Sequence, residues 1–402
     1  MNIERNKGIS ILGNYITGEQ LYFLGFIIYF IPSFLLNTMF SSTIGGHSLR
    51  LISYMAIPFL LGKVFIIDKW KLKQLFLIFF AFVISLVVWR KAQNADFVFV
   101  CLLMVGAKNI EFRKIISWFL YLSVISLLLT FIFALVGIIP NLIYYSPLRP
   151  TRYALGMAYA TYAATIYLYI VLAYCYLRFG NLNVWDYFGI VVIDCIIMGL
   201  TNTRLDFFAV LFFIPIVEIA QRAYHGNRVS RILSSFYWMA TPILATLIIV
   251  LSFFYHSGNH ILHKLDKLFS GRLMYGQIAF KKYNVNLLGR KIVEHTYSGF
   301  KGNSFQNNPM DHIGINYFFI DSSYVRMLLL WGLIAFCLVI ISMTIIAIRS
   351  TINKTYVLSV IMLIVAINCM FEPYIIHFVY NPFLLALFAK EKIWTPSGGN
   401  NE

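Results

Sequence analysis

Five arginines are the residues of this sequence best suited to binding chemistry. Arg149 and Arg152 lie in the segment PLRPTRYALG, Arg204 lies in TNTRLD, and Arg272 and Arg290 lie in a long polar stretch further along the chain. The planar guanidinium of arginine binds phosphate oxygens through two hydrogen bonds and stays ionised at physiological pH. If these arginines converge, they would bind a lipid-linked diphosphate. Each one alone could equally be an anchor at the lipid–water interface.

Carboxylates and histidines are candidates for a general base beside those arginines. Asp321 and Glu372 lie at the ends of apolar runs, where a carboxylate could accept a proton from a sugar hydroxyl or orient it. Asp321 could equally cap the helix that follows it. His312 and His295 are further candidates, although solvated loop histidines are common. The sequence leaves the choice among these four residues open.

Metal chemistry is not favoured by the pattern of ligand-forming residues. His256, His260, His263 and Asp266 stand at helical spacing, but Gly258-Asn259 would break a helix through the first of them. An ordinary polar helix face explains the group better. Asp-x-Asp, Gly-rich phosphate-loop, Gly-x-Ser-x-Gly and His-Glu-x-x-His motifs are absent from the sequence. We therefore expect no metal or other cofactor, and a reaction in which arginines stabilise a departing diphosphate.

The composition shows which solvent surrounds these residues. Hydrophobic residues make up 60% of the 402 residues and charged residues 12%, about half the charged fraction of a soluble domain. The mean hydropathy is +0.77. Because the apolar runs are continuous, they predict membrane helices, and they exclude the alternation of an outer-membrane barrel. We expect no cleavable signal peptide, no disulfide among the five cysteines, and no nucleic-acid partner despite the net charge of +16.

Twelve apolar runs are long enough, or nearly so, to cross a membrane. They are 21–38, 49–67, 74–89, 94–107, 115–139, 156–177, 185–200, 205–220, 236–255, 323–348, 356–371 and 374–389. With both termini in the cytoplasm, the inner loops hold seventeen Lys and Arg residues and the short outer loops hold six. This bias predicts a multi-pass protein of an inner or plasma membrane, with the N terminus in the cytoplasm. Within the seventh run, Asp194 is either functional or part of a structural ion pair.

One long loop divides the predicted protein into three parts. Residues 1–255 form a bundle of about nine spans, 256–322 form a large extracytoplasmic cap, and 323–402 form three spans and a cytoplasmic tail. Long loops without a domain of their own are usually functional. Within the cap, residues 260–269 predict an amphipathic helix at the membrane surface, 273–280 predict a second helix, and 298–309 are rich in Gly and Asn and predict irregular structure.

Short motifs in a fixed order resemble those of a known group of membrane enzymes. They are Arg152-Tyr-Ala-Leu-Gly156, Thr203-Arg204, Ser270-Gly-Arg272-Leu, Leu288-Gly289, Ile320-Asp321-Ser-Ser-Tyr324 and Trp331-Gly332. From about residue 150 onward, the chain resembles the Wzy-type polymerases of O-antigen, capsule and exopolysaccharide, in the O-antigen ligase and polymerase superfamily. The Arg-x10-Gly repeats of some members are not found at these arginines. The fold class this implies is an all-α polytopic membrane protein of about twelve helices, GT-C-like.

The resemblance implies polymerisation of undecaprenyl-diphosphate-linked oligosaccharide repeat units by inverting transfer on the outer face. Arg204 and Arg272 would then act on the diphosphate, and Asp321 or His312 would act on the acceptor hydroxyl. The substrate-binding residues would be Arg149, Arg152, Arg290, His295, Tyr324 and Glu372. A chain-length regulator and a flippase are the candidate protein partners, beside membrane lipid. Transfer to a different acceptor, as in a ligase, and transport of the lipid-linked unit are the alternatives.

Overall fold

Long apolar helices dominate the computed structural model, which describes residues 9–11, 14–146, 149–307 and 317–391. Within these ranges, nine apolar helical segments have the 18 or more residues needed to cross a bilayer. They are Gly18–Leu35, Ser41–Ile67, Leu72–Ala92, Phe112–Leu135, Ala160–Arg178, Val184–Thr201, Arg204–Tyr224, Arg228–Phe253 and Leu333–Ile352. The prediction of a mostly helical, polytopic membrane protein is confirmed at this level.

Seventeen α-helices and two small hairpins make up the described fold. The helices are α1 Gly18–Leu35, α2 Gly46–Tyr54, α3 Ala56–Gly62, α4 Leu72–Ala92, α5 Asp96–Gly106, α6 Phe112–Leu135, α7 Ala160–Arg178, α8 Val184–Thr201, α9 Arg204–Tyr224, α10 Arg228–Ser234, α11 Ala240–Phe253, α12 His260–Leu268, α13 Arg272–Lys282, α14 Gly299–Asn307, α15 Ser323–Arg326, α16 Leu333–Ile352 and α17 Val357–Asn368. The antiparallel hairpins join β1 Ile9–Ile11 to β2 Asn14–Ile16, and β3 Ile143–Ser146 to β4 Arg149–Tyr153.

Three of the twelve predicted spans are not long membrane helices. The runs 94–107 and 356–371 contain α5 and α17, of 11 and 12 residues, which rise only about 17–18 Å at 1.5 Å per residue. The run 374–389 contains turns and one 3₁₀ segment, Phe383–Leu387, so the prediction of a helix there is wrong. Pro382 cannot donate a backbone hydrogen bond, and the buried Asn381 side chain bonds the carbonyl of Ile375 and the amide of Phe383 instead. Packed protein, not lipid, surrounds this segment, which is where irregular backbone is tolerated at membrane depth.

The predicted span 323–348 is also two elements, because the chain breaks at Gly332. α15 and a π-helical turn, Met327–Trp331, precede the break, and α16 follows it. Gly332 has φ +91°, and a Cβ on Gly289 would lie 2.3 Å from the carbonyl oxygen of Leu330. Only glycines permit this approach. The break therefore docks the cap segment around Gly289 onto the helix bundle.

Of the nine candidate spans, α7 is the most buried within the protein and α4 is the least buried. Of the apolar window of α7, 72% is buried within the protein, against 17% for α4. Both helices are apolar on all sides, so burial and lipid contact are equally accessible to them. α7 packs against α6, α8, α9 and α17, and it forms the wall behind the site described below.

The two ends of the bundle differ in what they carry. At one end, Arg349 on α16 donates to the carbonyl of Leu387, and Lys63 at the end of α3 donates to that of Lys108. These are segments predicted to be cytoplasmic. At the other end, which we call the cap end, the cap rests on the β3–β4 hairpin, since Asn303 of α14 donates to the carbonyl of Ile143.

The cap is more helical than the sequence indicates. Its two predicted helices are present as α12 and α13, but the Gly- and Asn-rich segment predicted to be irregular forms α14 as far as Asn307. Asp266 joins the first two helices, because one carboxylate oxygen accepts the backbone amides of Leu273 and Met274 at the start of α13. This buried acid is thus a helix cap.

Candidate functional site

A cavity of about 770 Å³ lies at the cap end, between the cap and the ends of α7, α8 and α9. Most of its lining side chains are polar or aromatic. They are Tyr145, Arg152, Tyr159, Thr161, Tyr162, Asn202, Thr203, Arg204, Leu205, Phe208, Lys267, Leu268, Ser270, Arg272, Tyr275, Thr296, Tyr297, Ser298, Gln306, Tyr317, Phe319, Asp321, Glu372 and Tyr374. Of the ten site residues predicted from the sequence, this cavity brings together five: Arg152, Arg204, Arg272, Asp321 and Glu372.

Arg152 is held in the cavity wall by neutral acceptors. β4 pairs with β3 so that Arg152 stands opposite Tyr144. The Arg152 side chain is buried; its Nε donates to the carbonyl oxygen of Thr201 at 2.8 Å and an Nη to the Tyr159 hydroxyl at 3.3 Å. Within the described residues no carboxylate forms a salt bridge with it. Its positive charge therefore remains available to an anion in the cavity.

Arg272, the first residue of α13, reaches the floor of the cavity. Its Nε donates to the carbonyl of Phe371 at 2.9 Å, and an Nη lies 3.2 Å from a carboxylate oxygen of Glu372. Burial, with the carboxylate of Asp206 nearby, raises the pKa of Glu372 well above its usual range, and Arg272 opposes that shift. Arg272 and Glu372 form a largely buried pair at the cavity floor.

Arg204 begins α9 and is exposed, with no hydrogen bond or salt bridge to any residue that the structure describes. A cation at the first position of a helix is disfavoured by the helix dipole, so helix stability does not explain it. The turn before it is tight. Asn202 adopts the left-handed conformation (φ 48°), and its backbone N–H donates to the carbonyl of Met198 at 2.8 Å. This turn fixes Arg204 at the edge of the cavity.

Asp321 provides a carboxylate in the same cavity without a hydrogen-bond partner among the described residues. Burial raises the pKa of its carboxyl above the ordinary value, and Arg272 and Arg326 oppose the shift. Its loop is anchored by Glu294, which accepts the amide of Ile320 and pairs with Arg326 at 2.6 Å. Asp321 is thus a positioned carboxylate, suited to accept a proton from a hydroxyl group.

Aromatic rings form most of one wall. Tyr297 and Tyr317 stack with their centroids 4.4 Å apart, and Tyr275 meets Tyr317 edge to face at 5.1 Å. Tyr162 makes an edge contact with Tyr374, and its hydroxyl lies 3.3 Å from that of Ser298. Rings with polar tips supply both an apolar face and hydrogen bonds. Such a wall suits a sugar, whose ring also has an apolar face and hydroxyl edges.

Three other predicted site residues, among those that the structure describes, do not line this cavity. Tyr324 is fully buried, and its hydroxyl donates to the carbonyl of Ala366. Its predicted role in substrate binding is therefore corrected to packing. Arg290 lies at the glycine contact near Leu330, and His295 is exposed and pairs with Phe318 through backbone atoms. His312 and the side chain of Arg149 lie outside the described residues.

A buried acid beneath the cavity was missed by the sequence reasoning. Asp206, in the first turn of α9, accepts hydrogen bonds from the Thr165 hydroxyl and the Asn368 side chain, each at 3.1 Å. An ionisable residue inside an apolar run is the available signal, and Asp206 shares it with Asp194. Asp194 is buried in α8 away from the cavity lining, and one of its carboxylate oxygens lacks a hydrogen-bond partner in the described structure. It forms no ion pair with a described residue.

The charge of the lining residues is positive on balance. Four cationic side chains (Arg152, Arg204, Lys267, Arg272) face two acidic ones (Asp321, Glu372). Low-dielectric walls strengthen the attraction of such a cluster for an anion. No protein-family model, curated protein or solved structure matches this chain. The geometry of the site is therefore what points to a function for this chain.

Proposed function

We propose that this chain is a glycosyltransferase that polymerises polyprenyl-diphosphate-linked oligosaccharide repeat units at the outer face of a bacterial cytoplasmic membrane. The observation that carries the proposal is the convergence of Arg152, Arg204 and Arg272 with Asp321 in one cavity. The outermost two of these residues, Arg152 and Asp321, are 169 positions apart in the sequence. A volume of about 770 Å³ lies within the range of small-molecule sites, roughly 300–1,000 Å³, and accommodates a diphosphate with its first sugars.

In the proposed reaction, the acceptor hydroxyl oxygen bonds to the anomeric carbon of the donor glycan. The bond from that carbon to the diphosphate oxygen breaks, and the polyprenyl diphosphate leaves with the electron pair. Asp321 takes the hydroxyl proton, which gives an inverting displacement if the attack comes from the opposite face. Arg204 and Arg272 stabilise the charge developing on the leaving group, and Arg152 assists them. Undecaprenyl diphosphate is the carrier we expect, and a flippase and a chain-length regulator are the expected partners.

Two features support a location of the cavity at the outer face of the membrane. The end of the bundle away from the cavity carries the lysine-rich turns around Lys63 and Lys108, and short basic loops stay in the cytoplasm. The cavity lies at the opposite end, under the cap. Lipid-linked repeat units would reach it after a flippase has moved them across the membrane.

The test is Arg204→Ala in purified protein supplied only with lipid-linked repeat units. We expect loss of high-molecular-weight product by about 10²–10³-fold, the magnitude for removal of one group that stabilises a developing anion. Arg222→Ala is the matched control, since Arg222 forms an exposed surface pair with Glu218 and such pairs contribute little. Both variants should insert and purify normally.

Three outcomes would decide the matter. Normal product length with Arg204→Ala would overturn the role of this arginine. No ladder from wild-type protein, but transfer of the glycan to a different acceptor, would indicate a ligase. Translocation of the lipid-linked unit across vesicles without elongation would indicate a transporter.

A further inference from the structure

One face of α9 runs from the cavity to the outside of the bundle. Arg204, Phe208 and Phe212 stand at i, i+4 and i+8, and residues at this spacing share a helix face. Phe208 lines the cavity yet is 60% exposed, and Phe212, one turn further along, is 54% exposed. A side chain that both lines a cavity and is mostly exposed lies at its mouth. α9 therefore forms one edge of an opening.

The end of α12 also lies at the opening. Leu268 lines the cavity and is 69% exposed, and Lys267 beside it also lines the cavity. Among the described lining residues, Leu205 is the only other aliphatic one, and it stands one helical turn before Phe208 on α9 at i−3. Apart from Phe319, the apolar lining side chains therefore lie at the mouth, whereas most of the other lining residues are tyrosines or carry polar or charged groups. An apolar mouth on a membrane-spanning helix opens toward lipid.

We infer that the mouth between Phe208 and Leu268 is a lateral portal through which the prenyl chain of the donor leaves the cavity and lies along Phe208 and Phe212. The inference rests on the proposed function and adds the path of the lipid tail to it. Charge complementarity selects the occupant, because Arg204 stands one turn inside the portal on the same face as the two phenylalanines. In a lipid with a diphosphate head and a long isoprenoid chain, the head would contact Arg204 and the chain would follow Phe208 and Phe212. We call these two phenylalanines the apolar stripe.

An ordinary phospholipid explains the arrangement less well. A phosphodiester carries a single negative charge, whereas three arginines converge inside the mouth. The polar cavity beyond them would also stay unfilled by a phospholipid, while a diphosphate-linked glycan would occupy it. The stripe is thus assigned to a prenyl diphosphate.

Photocrosslinking tests the path directly in the full-length protein. p-Benzoylphenylalanine replaces Phe208 or Phe212, and the probe is radiolabelled undecaprenyl diphosphate in phosphatidylglycerol vesicles. Phe80 is the matched control, because it is an equally exposed phenylalanine, on the lipid-facing α4. We expect roughly tenfold more label at 208 and 212 than at 80, since a site-bound lipid is held in contact whereas a bulk lipid diffuses past. Equal labelling at the three positions would overturn the portal.

A second measurement separates the portal from the chemistry. Phe208→Ala should raise the KM for a donor with a full-length undecaprenyl chain by roughly tenfold, because apolar contact with the chain is lost. The KM for a donor with a short, water-soluble prenyl chain should rise less, because a short chain makes less contact with Phe208. Equal effects on both donors would overturn the assignment of Phe208 to the tail.

Failure of the portal and failure of the proposed function are distinguishable. If wild-type protein elongates repeat units but labelling is uniform, the portal is wrong and the function stands. If wild-type protein does not elongate them but position 208 still labels selectively and Arg204→Ala removes that label, the lipid path stands and the proposed function is wrong.

Discussion

Two charged clusters at opposite ends of the bundle use their cations differently. At the end away from the cap, Lys63 is buried, and its amine lies 2.6 Å from a carboxylate oxygen of Asp68 and also donates to the carbonyl of Lys108. The Lys108 amine rests on the Trp70 ring at 3.5 Å. We call this group the Lys63 cluster. Its buried cation is matched by a carboxylate, as a structural ion pair requires.

The arginine cluster at the cap end, Arg152, Arg204 and Arg272, lacks this balance. Arg152 is buried with a carbonyl and a tyrosine hydroxyl as its partners, the exposed Arg204 side chain bonds no described residue, and only Arg272 pairs with a carboxylate, that of Glu372. Burial of Arg152 without a charged partner costs free energy. Positive charge that lacks an internal counter-charge around a cavity is suited to bind an anionic ligand. In the Lys63 cluster, by contrast, the counter-charge is supplied by Asp68 of the protein itself.

The largest effect that would break this comparison is expected at Asp321. Asp321→Asn removes the proposed base and should lower the turnover rate by about 10²–10⁴-fold. Because the active base is the carboxylate and burial raises its pKa, the wild-type rate should fall as the pH drops through that raised pKa. The ordinary pKa of an aspartate is about 3.9. The acidic limb of the pH–rate profile should therefore lie at a higher pH than that. The measurement is the initial rate as a function of pH for the wild type and for Asp321→Asn.

Glu218→Gln is the control for Asp321→Asn, since Glu218 is a partly exposed acid at the opposite end of α9. It should leave both the rate and the acidic limb unchanged. An Asp321→Asn protein that keeps the acidic limb would assign the base to another group, such as His312.

The Lys63 cluster should respond in stability instead of activity. Lys63→Ala leaves Asp68 buried without its partner and should cost about 3–5 kcal/mol of folding free energy. Activity per folded molecule should not change. Thermal unfolding in detergent, monitored with size-exclusion chromatography, measures the first quantity, and the ladder assay measures the second.

The double variant Lys63→Met/Asp68→Leu sharpens the test. Because it removes both charges, most of the lost stability should return. A double variant as unstable as Lys63→Ala would show that Lys63 and Asp68 stabilise the fold by more than neutralising each other's charge. Loss of activity in a well-folded single variant would show that the two ends of the bundle are coupled.

The sequence predicts some features of this molecule well, for reasons that concern local chemistry. Apolar runs mark most of the long helices, because lipid demands about twenty consecutive apolar residues. Arg204 and Asp321 were predicted as site residues because each stands where an apolar run begins or ends, and charges there require an explanation. Arg272 was predicted because it is an arginine of the large outer loop. The cavity brings these three together, although their chemical roles remain proposals.

Features that depend on long-range partners could not be predicted in the same way. Asp206 and Asn368 are 162 residues apart and meet in one hydrogen bond, which no local pattern reveals. The run 374–389 has the composition of a span, but Asn381 and Pro382 direct its backbone into turns buried by other helices. Similarly, α4 and α7 are both apolar, and only the assembled bundle determines that α7 is the central one.

The smallest effect is expected at the aromatic wall, where the arginine cluster is not involved. Tyr297→Ala removes one ring of the stacked pair with Tyr317 and should raise the KM for the acceptor by about tenfold, since aromatic contacts contribute about 0.5–1.5 kcal/mol beyond area burial. Tyr297→Phe keeps the ring and should stay close to wild type. The measurement is the acceptor KM against kcat for each variant.

Tyr121→Ala is the control for the aromatic wall, because Tyr121 is an exposed tyrosine on α6 that does not line the cavity. It should leave both constants unchanged. The backbone carbonyl of Tyr297 accepts the Tyr144 hydroxyl at 3.0 Å, and that contact survives substitution of the side chain. A fall in kcat without a rise in KM would therefore assign Tyr297 to the reacting centre. The aromatic wall would then contribute to the reaction itself, as proposed for the arginine cluster, and not only to binding of the acceptor.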